Sequence, residues 1–459
     1  MLTRADHRIR VLLAMACARG HALLLLPKVR HYSSRVLACE GSAIPAALPT
    51  AAYVHLPFCK RRCHYCDFPI VALGESSSNA GSTMESYVDL VCQEIAAERS
   101  PSRGALQTVF FGGGTPSLIP IPLLQRIIQA LEAKHGFSRD APMEISMEMD
   151  PGTFSRDYLT EAIQSCGINR VSLGVQAFDD DLLKLCGRSH CLDDVFQSIE
   201  WIKDSLQNWS LDLISSLPHH TLASWRKSLE QAIAASPAHV SIYDLQIEQG
   251  TKFGNLYKPG MDPLPSDDDS AEFFKLGSSM LREAGYDHYE ISNYARKGFQ
   301  CRHNLVYWKN QGYYAYGLGS TSFVDGKRVK RSKRMREYAK FVEALAAGSP
   351  VLPESLEGSR TEAVLPESVE DRILDTVMLA LRLAEGIDLR RFEAEFGSEL
   401  AGILCDGLAE FVASGNVVFL DASRECTAER AGAVYGRLTD PNGFLVSNEI
   451  ISRLFCLVK

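Results

Sequence analysis

The stretch Tyr53-VHLPFCKRRCHYCDF-Pro69 decides how the rest of this chain is read. Cys59, Cys63 and Cys66 stand in it at C-x3-C-x2-C spacing, on and after a short apolar, strand-like segment. Three thiolates on one tight loop can hold three irons of a cubane cluster and leave the fourth iron open to a small molecule. A ferredoxin that only carries electrons caps every iron with a cysteine. Zinc is the rival metal. Zinc sites usually pair two ligand pairs far apart in sequence, and no second C-x2-C exists here.

One βα unit further on, Gln107-TVFFGGGTP-Ser117 reads as a strand that ends in Gly112, Gly113 and Gly114, followed by Thr115 and Pro116. Glycines let a backbone approach a ligand and expose its N–H and C=O groups. A plain turn is the commoner cause of a lone glycine run. The distance from the cysteine loop is what gives this run its weight.

With 459 residues, two domains and a large core are expected. Hydrophobic residues make up 46% and charged residues 23%, the composition of an ordinary globular protein. The net charge of −8 tells against general nucleic-acid binding. The thirteen cysteines are too scattered for a disulfide framework, and those outside the loop read as buried or free thiols suited to a reducing compartment. Residues 1–38 carry Arg4, Arg8, Arg10, Arg19, Lys28, Arg30 and Arg35 against the single acid Asp6. Such a leader, taken as residues 1–45, resembles an organellar transit peptide, with a secretory signal as rival. Its apolar stretches are too short to span a bilayer.

From Tyr53 onward strand and helix patterns alternate. Strands are expected at 53–58, 107–112, 144–149, 170–176, 210–217 and 239–247. Helices are expected at 84–99, 121–135, 155–166, 179–206 (as two), 222–236 and 268–285, with a short strand near His288–Ser292. Six βα units imply a parallel sheet with right-handed crossovers, two short of a full barrel of eight. Residues 73–83 read as a flexible loop, and 346–370, rich in Pro, Gly, Ser and Glu, as a linker. Beyond it, helices at Asp371–Ala384, Leu389–Phe396 and Ser447–Phe455 with a hairpin near Gly415–Leu420 suggest a small, mostly helical, winged-helix-like domain over 371–459. Sixteen acids and nine bases from Glu367 onward make it a poor DNA-binding surface.

The cysteine and glycine loops together resemble those of the radical S-adenosylmethionine (SAM) superfamily, whose fold is a partial (β/α)6 barrel with its chemistry at the C-terminal ends of the strands. Further blocks narrow the resemblance to the coproporphyrinogen III oxidase-like group, heme chaperones of the HemW type included, from about residue 50 to the C-terminus. They are Glu144-ISMEMDPG-Thr153, Val171-SLGVQA-Phe178, Gly187-Arg188, Asp212-LISSL-Pro218, Cys301-RHNLVY-Trp308 and Leu379-ALRLAEGI-Asp388.

The resemblance implies a [4Fe-4S] cluster on Cys59, Cys63 and Cys66, flanked with the SAM adenine by Tyr53 and Tyr65. It implies that Gly113, Gly114 and Thr115 meet the methionine moiety, that Glu148, Gln176, Arg188 and Asp212 form a polar ring around SAM, and that Gln246 contributes backbone to the adenine site. A carboxylate suits a fork such as that of Arg188, while for Gln176 and Asp212 the rival role is satisfying backbone at strand ends. Where the oxidase has a further cysteine, two residues after the third, this chain has Phe68. The block His303-Asn304-x-x-Tyr307-Trp308 matches one associated with heme binding, making His303 the candidate axial ligand. The function implied is a heme chaperone that binds heme, cluster and SAM over residues 50–345. Its partners would be acceptor hemoproteins, membrane-bound ones among them, and a second copy as homodimer, in a mitochondrion or alternatively a chloroplast. The alternative is oxygen-independent oxidation of coproporphyrinogen III. Two departures touch the second pocket: Ser215-Ser216 stand where many relatives have Tyr-Gly, and Gly317-LGSTS-Phe323 lacks a histidine.

Overall fold

The computed structural model describes residues 48–74, 79–99, 104–140, 142–348, 368–427 and 432–458. The basic leader and most of the expected linker lie outside them. Six parallel strands run side by side in chain order, Ala51–Leu56, Thr108–Gly113, Glu144–Met149, Arg170–Gln176, Trp209–Ser215 and His239–Asp244. These are the six expected from sequence, within three residues at any end. A seventh, Tyr314–Tyr316, adds in parallel beside the first, and the antiparallel strands Asn293–Ala295 and Asp287–Glu290 extend the other edge. The sheet therefore has nine strands, with Tyr314–Tyr316 at one end and Asp287–Glu290 at the other.

Side chains alternate across each strand, and here the two faces differ in kind. Val109 and Phe111, Ile145, Met147 and Met149, Val171 and Leu173, Leu211 and Leu213, and Val240 join one core with the surrounding helices. The alternate positions are polar: Glu144, Ser146 and Glu148, Arg170 and Ser172, Ser210 and Asp212, His239 and Ser241. Parallel strands covered on both faces usually read as continuous apolar runs. This barrel instead has an apolar coat and a polar lumen.

The helices between strands carry ordinary start and stop signals. Ser155 caps Arg156–Cys166 by accepting from Tyr158 N, and that helix ends at Gly167. Thr221 and Ser266 open Leu222–Ala235 and Asp267–Glu283 with reciprocal capping bonds. The first helix begins at Ala80, four residues before its expected start, inside the stretch read as loop. A buried ion pair, Arg331 Nε to Glu94 Oε1 at 2.7 Å, ties that helix to the segment after the seventh strand, with Gly317 N and the Tyr338 hydroxyl also donating to Glu94.

The C-terminal domain packs a second core. It holds helices Val369–Ala380, Leu389–Phe396, Ser398–Ala409 and Ser447–Val458 around a four-stranded sheet. The helix Ser398–Ala409 was not anticipated; its moment is blurred because apolar residues ring most of it. The domain docks on the barrel's antiparallel edge through Ile291 N to Arg382 O, Ala384 N to Tyr289 O, and Asp440, which accepts from Ser278 and lies 2.9 Å from His288 Nδ1. No described helix is long and apolar enough to cross a membrane.

Candidate functional site: the barrel mouth and its floor

The cysteine loop leaves the C-terminal end of the first strand, and its own two ends are stitched in parallel at Phe58–Cys59 and Val71–Ala72. Its tip is held by His64, whose amide donates to Cys186 O at 2.8 Å and whose ring Nδ1 lies 2.7 Å from Leu185 O. Arg62 donates back to Cys66 O and Phe68 O. Cys59, Cys63 and Cys66 are all half-buried. Burial pushes the Cys59 thiol up to about 12, against the Thr115 hydroxyl at 3.5 Å, and raises Cys66 also. Neutral thiols of this kind are poor nucleophiles, and metal ligation reverses that by deprotonating them. Among the described residues no three His, Cys, Asp or Glu side chains converge on one point fit for a single ion. The donor set, three thiols on one loop, is one that can hold three irons of a cluster and leave the fourth open.

The glycine loop lies directly against this one. Gly114 N donates to Leu56 O and Thr115 N to Phe58 O. Gly113 has φ +117, and a Cβ there would stand 2.5 Å from the His55 ring, so no other residue fits without displacing it. Its N–H donates to Glu148 Oε2 at 2.9 Å. Tyr53, one residue pair below, contacts His55 Nδ1 through its hydroxyl at 3.1 Å and stacks on Phe110.

Asp150 joins the two loops to the fourth strand. It accepts from the Thr115 hydroxyl at 3.1 Å and from Arg188 Nη2 at 2.5 Å. Arg188 also donates to Gly174 O, to Cys63 Sγ at 3.4 Å and to the Tyr65 hydroxyl at 3.3 Å. A Cβ at Gly174 would stand 2.7 Å from Asp150 Oδ1 and 3.0 Å from Gln176 Nε2, so glycine makes room for that meeting. Gln176 itself has φ +71, an uncommon state for a side-chain-bearing residue, where the register with the fifth strand shifts.

Glu148 is held up to about 7 by burial, with Asp212 and Asp150 adding to the shift and the Gly113 N–H opposing it. Burial raises Asp212 too, against hydroxyl hydrogen bonds from Ser241, Ser172 and Ser210. Two carboxyls held high inside a polar mouth will favour a cationic ligand, which restores their charge.

Of the residues expected to serve SAM, the structure gathers Gly113, Gly114, Thr115, Glu148, Gln176 and Arg188 at this mouth with Tyr53 and Tyr65. Asp212 lies deeper in the lumen, and Gln246 is exposed two residues beyond the sixth strand. Asp150, His55, His64 and Gly174 were not singled out from sequence. Asp150 sits in the quoted Glu144–Thr153 block, and a carboxylate before Pro-Gly at a strand end was the signal for it.

His303 lies at the other end. The helix Arg302–Trp308 packs under the lumen, its first N–H groups accepted by the Glu144 carboxylate. The His303 ring is fully buried, stacked on Phe110 at 5.3 Å, with Nδ1 2.8 Å from Thr108 Oγ1 and Nε2 2.7 Å from the Tyr307 hydroxyl. Burial, with Arg170 nearby, lowers its pKa to about 3. Both nitrogens are taken, so as folded this imidazole is a packed core residue. Axial ligation of heme iron requires it to give up one of these partners. Phe68, two residues after Cys66, is 59% exposed on the cysteine loop.

The sequence pattern of the radical SAM superfamily matches residues 53–232, and that of the HemN C-terminal domain matches residues 368–429. A protein of Synechocystis sp. named heme chaperone HemW is 42% identical over 421 residues, 90% of this chain and 98% of the relative. A Bos taurus protein named radical S-adenosyl methionine domain-containing protein 1, mitochondrial, is 30% identical, over 75% of this chain and 76% of its own. Among solved structures, the Escherichia coli coproporphyrinogen III oxidase HemN, described as a radical SAM enzyme, superposes with a TM-score of 0.69 at 20% identity. That match covers 89% of this chain and 90% of the other, and shows a common fold.

Proposed function

Because the chain belongs to the HemW heme-chaperone family of the radical SAM superfamily, we propose that it holds heme for transfer to acceptor hemoproteins, with a [4Fe-4S] cluster and SAM at the barrel mouth. The observation that carries this reading is the likeness to a heme chaperone over nine-tenths of the chain. Cys59, Cys63 and Cys66 would hold the cluster, which would supply an iron free of protein ligands where SAM could bind. Gly113, Gly114 and Thr115 would line the methionine end. Arg188 would give its fork to a carboxylate, and Glu148 would face the cationic part. Gln176 and Asp212 would complete the ring, Tyr53 and Tyr65 would flank it, and Gln246 would reach the adenine. His303 would take heme iron only after its helix releases Nε2 from Tyr307.

The proposed place of action is the mitochondrion, supported by the mitochondrial name of the Bos taurus relative and by the basic, acid-poor leader. Residues 1–45 would be the transit peptide and 371–459 the family's C-terminal domain.

Anaerobic reconstitution followed by two parallel assays tests the reading. Heme retention with transfer to an apo-hemoprotein, without turnover, supports the chaperone. Conversion of coproporphyrinogen III to protoporphyrinogen IX with SAM and a reductant would make this an oxidase instead. Phe68 in place of the oxidase cysteine argues for the first outcome.

A further inference from the structure

The antiparallel edge of the barrel and the C-terminal domain do not close fully on each other. Two hollows of about 580 and 480 Å³ run along the junction and share Ala384 and Arg437 as walls, so they form one crevice. Each is within the usual size of a small-molecule site. Tyr289, Leu305, Leu383 and Leu420 give one part an apolar lining, and Leu305 belongs to the same helix as His303.

Arg437 is the unusual element. Its Nε is buried and has no hydrogen-bond partner among the described residues. Nearby charges are otherwise engaged. Asp440 lies 3.7 Å from Arg282 and 2.9 Å from His288, and Glu385 lies 3.6 Å from Lys309. Arg424 donates to Glu385 O and covers the Tyr435 ring at 3.4 Å. Of the remaining charges on this wall, Asp287 is exposed at the rim. A buried donor left unpaired is destabilising, and an arginine fork is best met by a carboxylate.

We propose that this crevice binds an amphipathic carboxylate, a flat apolar body against Tyr289, Leu305 and Leu420 with a carboxylate on Arg437. Resting on the chaperone reading, that ligand is heme, and the carboxylate is one of its propionates. Heme seated there would lie against the helix Arg302–Trp308, at a distance from the barrel mouth, and its iron would meet His303 only once that ring leaves Tyr307 and turns from the lumen floor toward the crevice.

The test uses the full chain, reconstituted anaerobically, titrated with hemin and with hemin dimethyl ester, which lacks the carboxylates. Arg437→Ala should weaken hemin binding roughly tenfold or more, the value of a charge-assisted hydrogen bond, and leave the ester unchanged. Ala384→Trp, which fills the crevice from a position shared by both hollows, should weaken both ligands. Unchanged cluster absorption and melting temperature will show that each variant is folded. Hemin affinity within twofold of the wild type in both variants overturns the site while the chaperone reading stands. Equal loss of hemin and ester in Arg437→Ala also overturns it, since that residue then acts only on packing. A wild-type protein that binds no hemin overturns both.

Discussion

His303 Nε2 lies 2.7 Å from the Tyr307 hydroxyl, one turn along the same helix, and the pair seals the floor of a polar lumen. The ring is neutral over the physiological range because burial holds its pKa to about 3. Neutral imidazole is the form that binds iron, but Thr108 and Tyr307 already occupy both nitrogens. Iron and the tyrosine hydroxyl therefore compete for Nε2.

That competition makes a prediction. Tyr307→Phe removes the competitor and should raise hemin affinity about fivefold, the value of one net hydrogen bond. His303→Ala should abolish the gain and weaken the Soret band while iron–sulfur absorption persists. Soret titrations of both variants that overlay the wild type would reject His303 as ligand and leave it a packing residue.

Much of this molecule was legible in the sequence because its rules are local. Cys59, Cys63 and Cys66 stand out by their spacing, which together with the glycine loop carries the family resemblance that implies a cluster, and the six parallel strands follow from apolar runs ended by glycine or polar clusters. Tyr314–Tyr316 was missed since three residues cannot show a period. The polar lumen was written in the alternation of Glu144-ISME and Arg170-VSLG, a pattern that a parallel strand covered on both faces does not need. Whether His303 faces a ligand or the core could not be read, because that depends on Thr108 and Phe110, almost two hundred residues earlier.

Glu148 gives the mouth a pH dependence. Its carboxyl sits at about 7 when folded against an ordinary 4.5. The folded state thus binds this proton more tightly than the unfolded state. Its contribution to stability is full below about 4.5 and is lost as pH rises through about 7. Glu148→Gln should flatten the decline in melting temperature between pH 5 and 8. SAM carries a sulfonium, which favours the carboxylate, so wild-type affinity should rise from pH 6 to 8 while that of Glu148→Gln stays level and about tenfold weaker. Parallel pH slopes for the two proteins, measured by calorimetry, would remove Glu148 from the cation site.

Glu94 and Arg331 carry a different kind of prediction, about stability alone. Both side chains are almost wholly buried, at 0% and 3% exposure. Replacing Glu94 with Gln leaves the guanidinium buried without a counter-charge, which costs about 3–5 kcal/mol. The loss should appear as a fall in urea midpoint. The double variant Glu94→Gln with Arg331→Met should recover part of it. A double variant no better than the single one would mean that Gly317 and Tyr338, not the ion pair, set the value of Glu94.

The leader makes a prediction that needs no purified protein. Residues 1–50 fused to a fluorescent protein should direct it to mitochondria, since seven bases against one acid before Glu40 suit import. Chloroplast import would move the organelle and keep the transit reading. A cytosolic signal would remove it.

Replacing Cys59, Cys63 and Cys66 together by alanine isolates the cluster from the fold. The loop is anchored by His64, Arg62 and the pairing of Phe58–Cys59 with Val71–Ala72, mainly through backbone groups that alanine leaves intact. None of the three thiols belongs to the apolar core of the barrel. The variant should therefore melt within a few degrees of the apo wild type, yet carry no visible iron–sulfur absorption after anaerobic reconstitution. The wild type should take up about four irons per chain. SAM affinity should fall in the variant as well, because the open iron is lost while Arg188 and Asp150 remain. A variant that keeps four irons would place the cluster elsewhere. One that unfolds before metal is added would show that the thiols, through Thr115 and Arg188, hold the mouth together themselves.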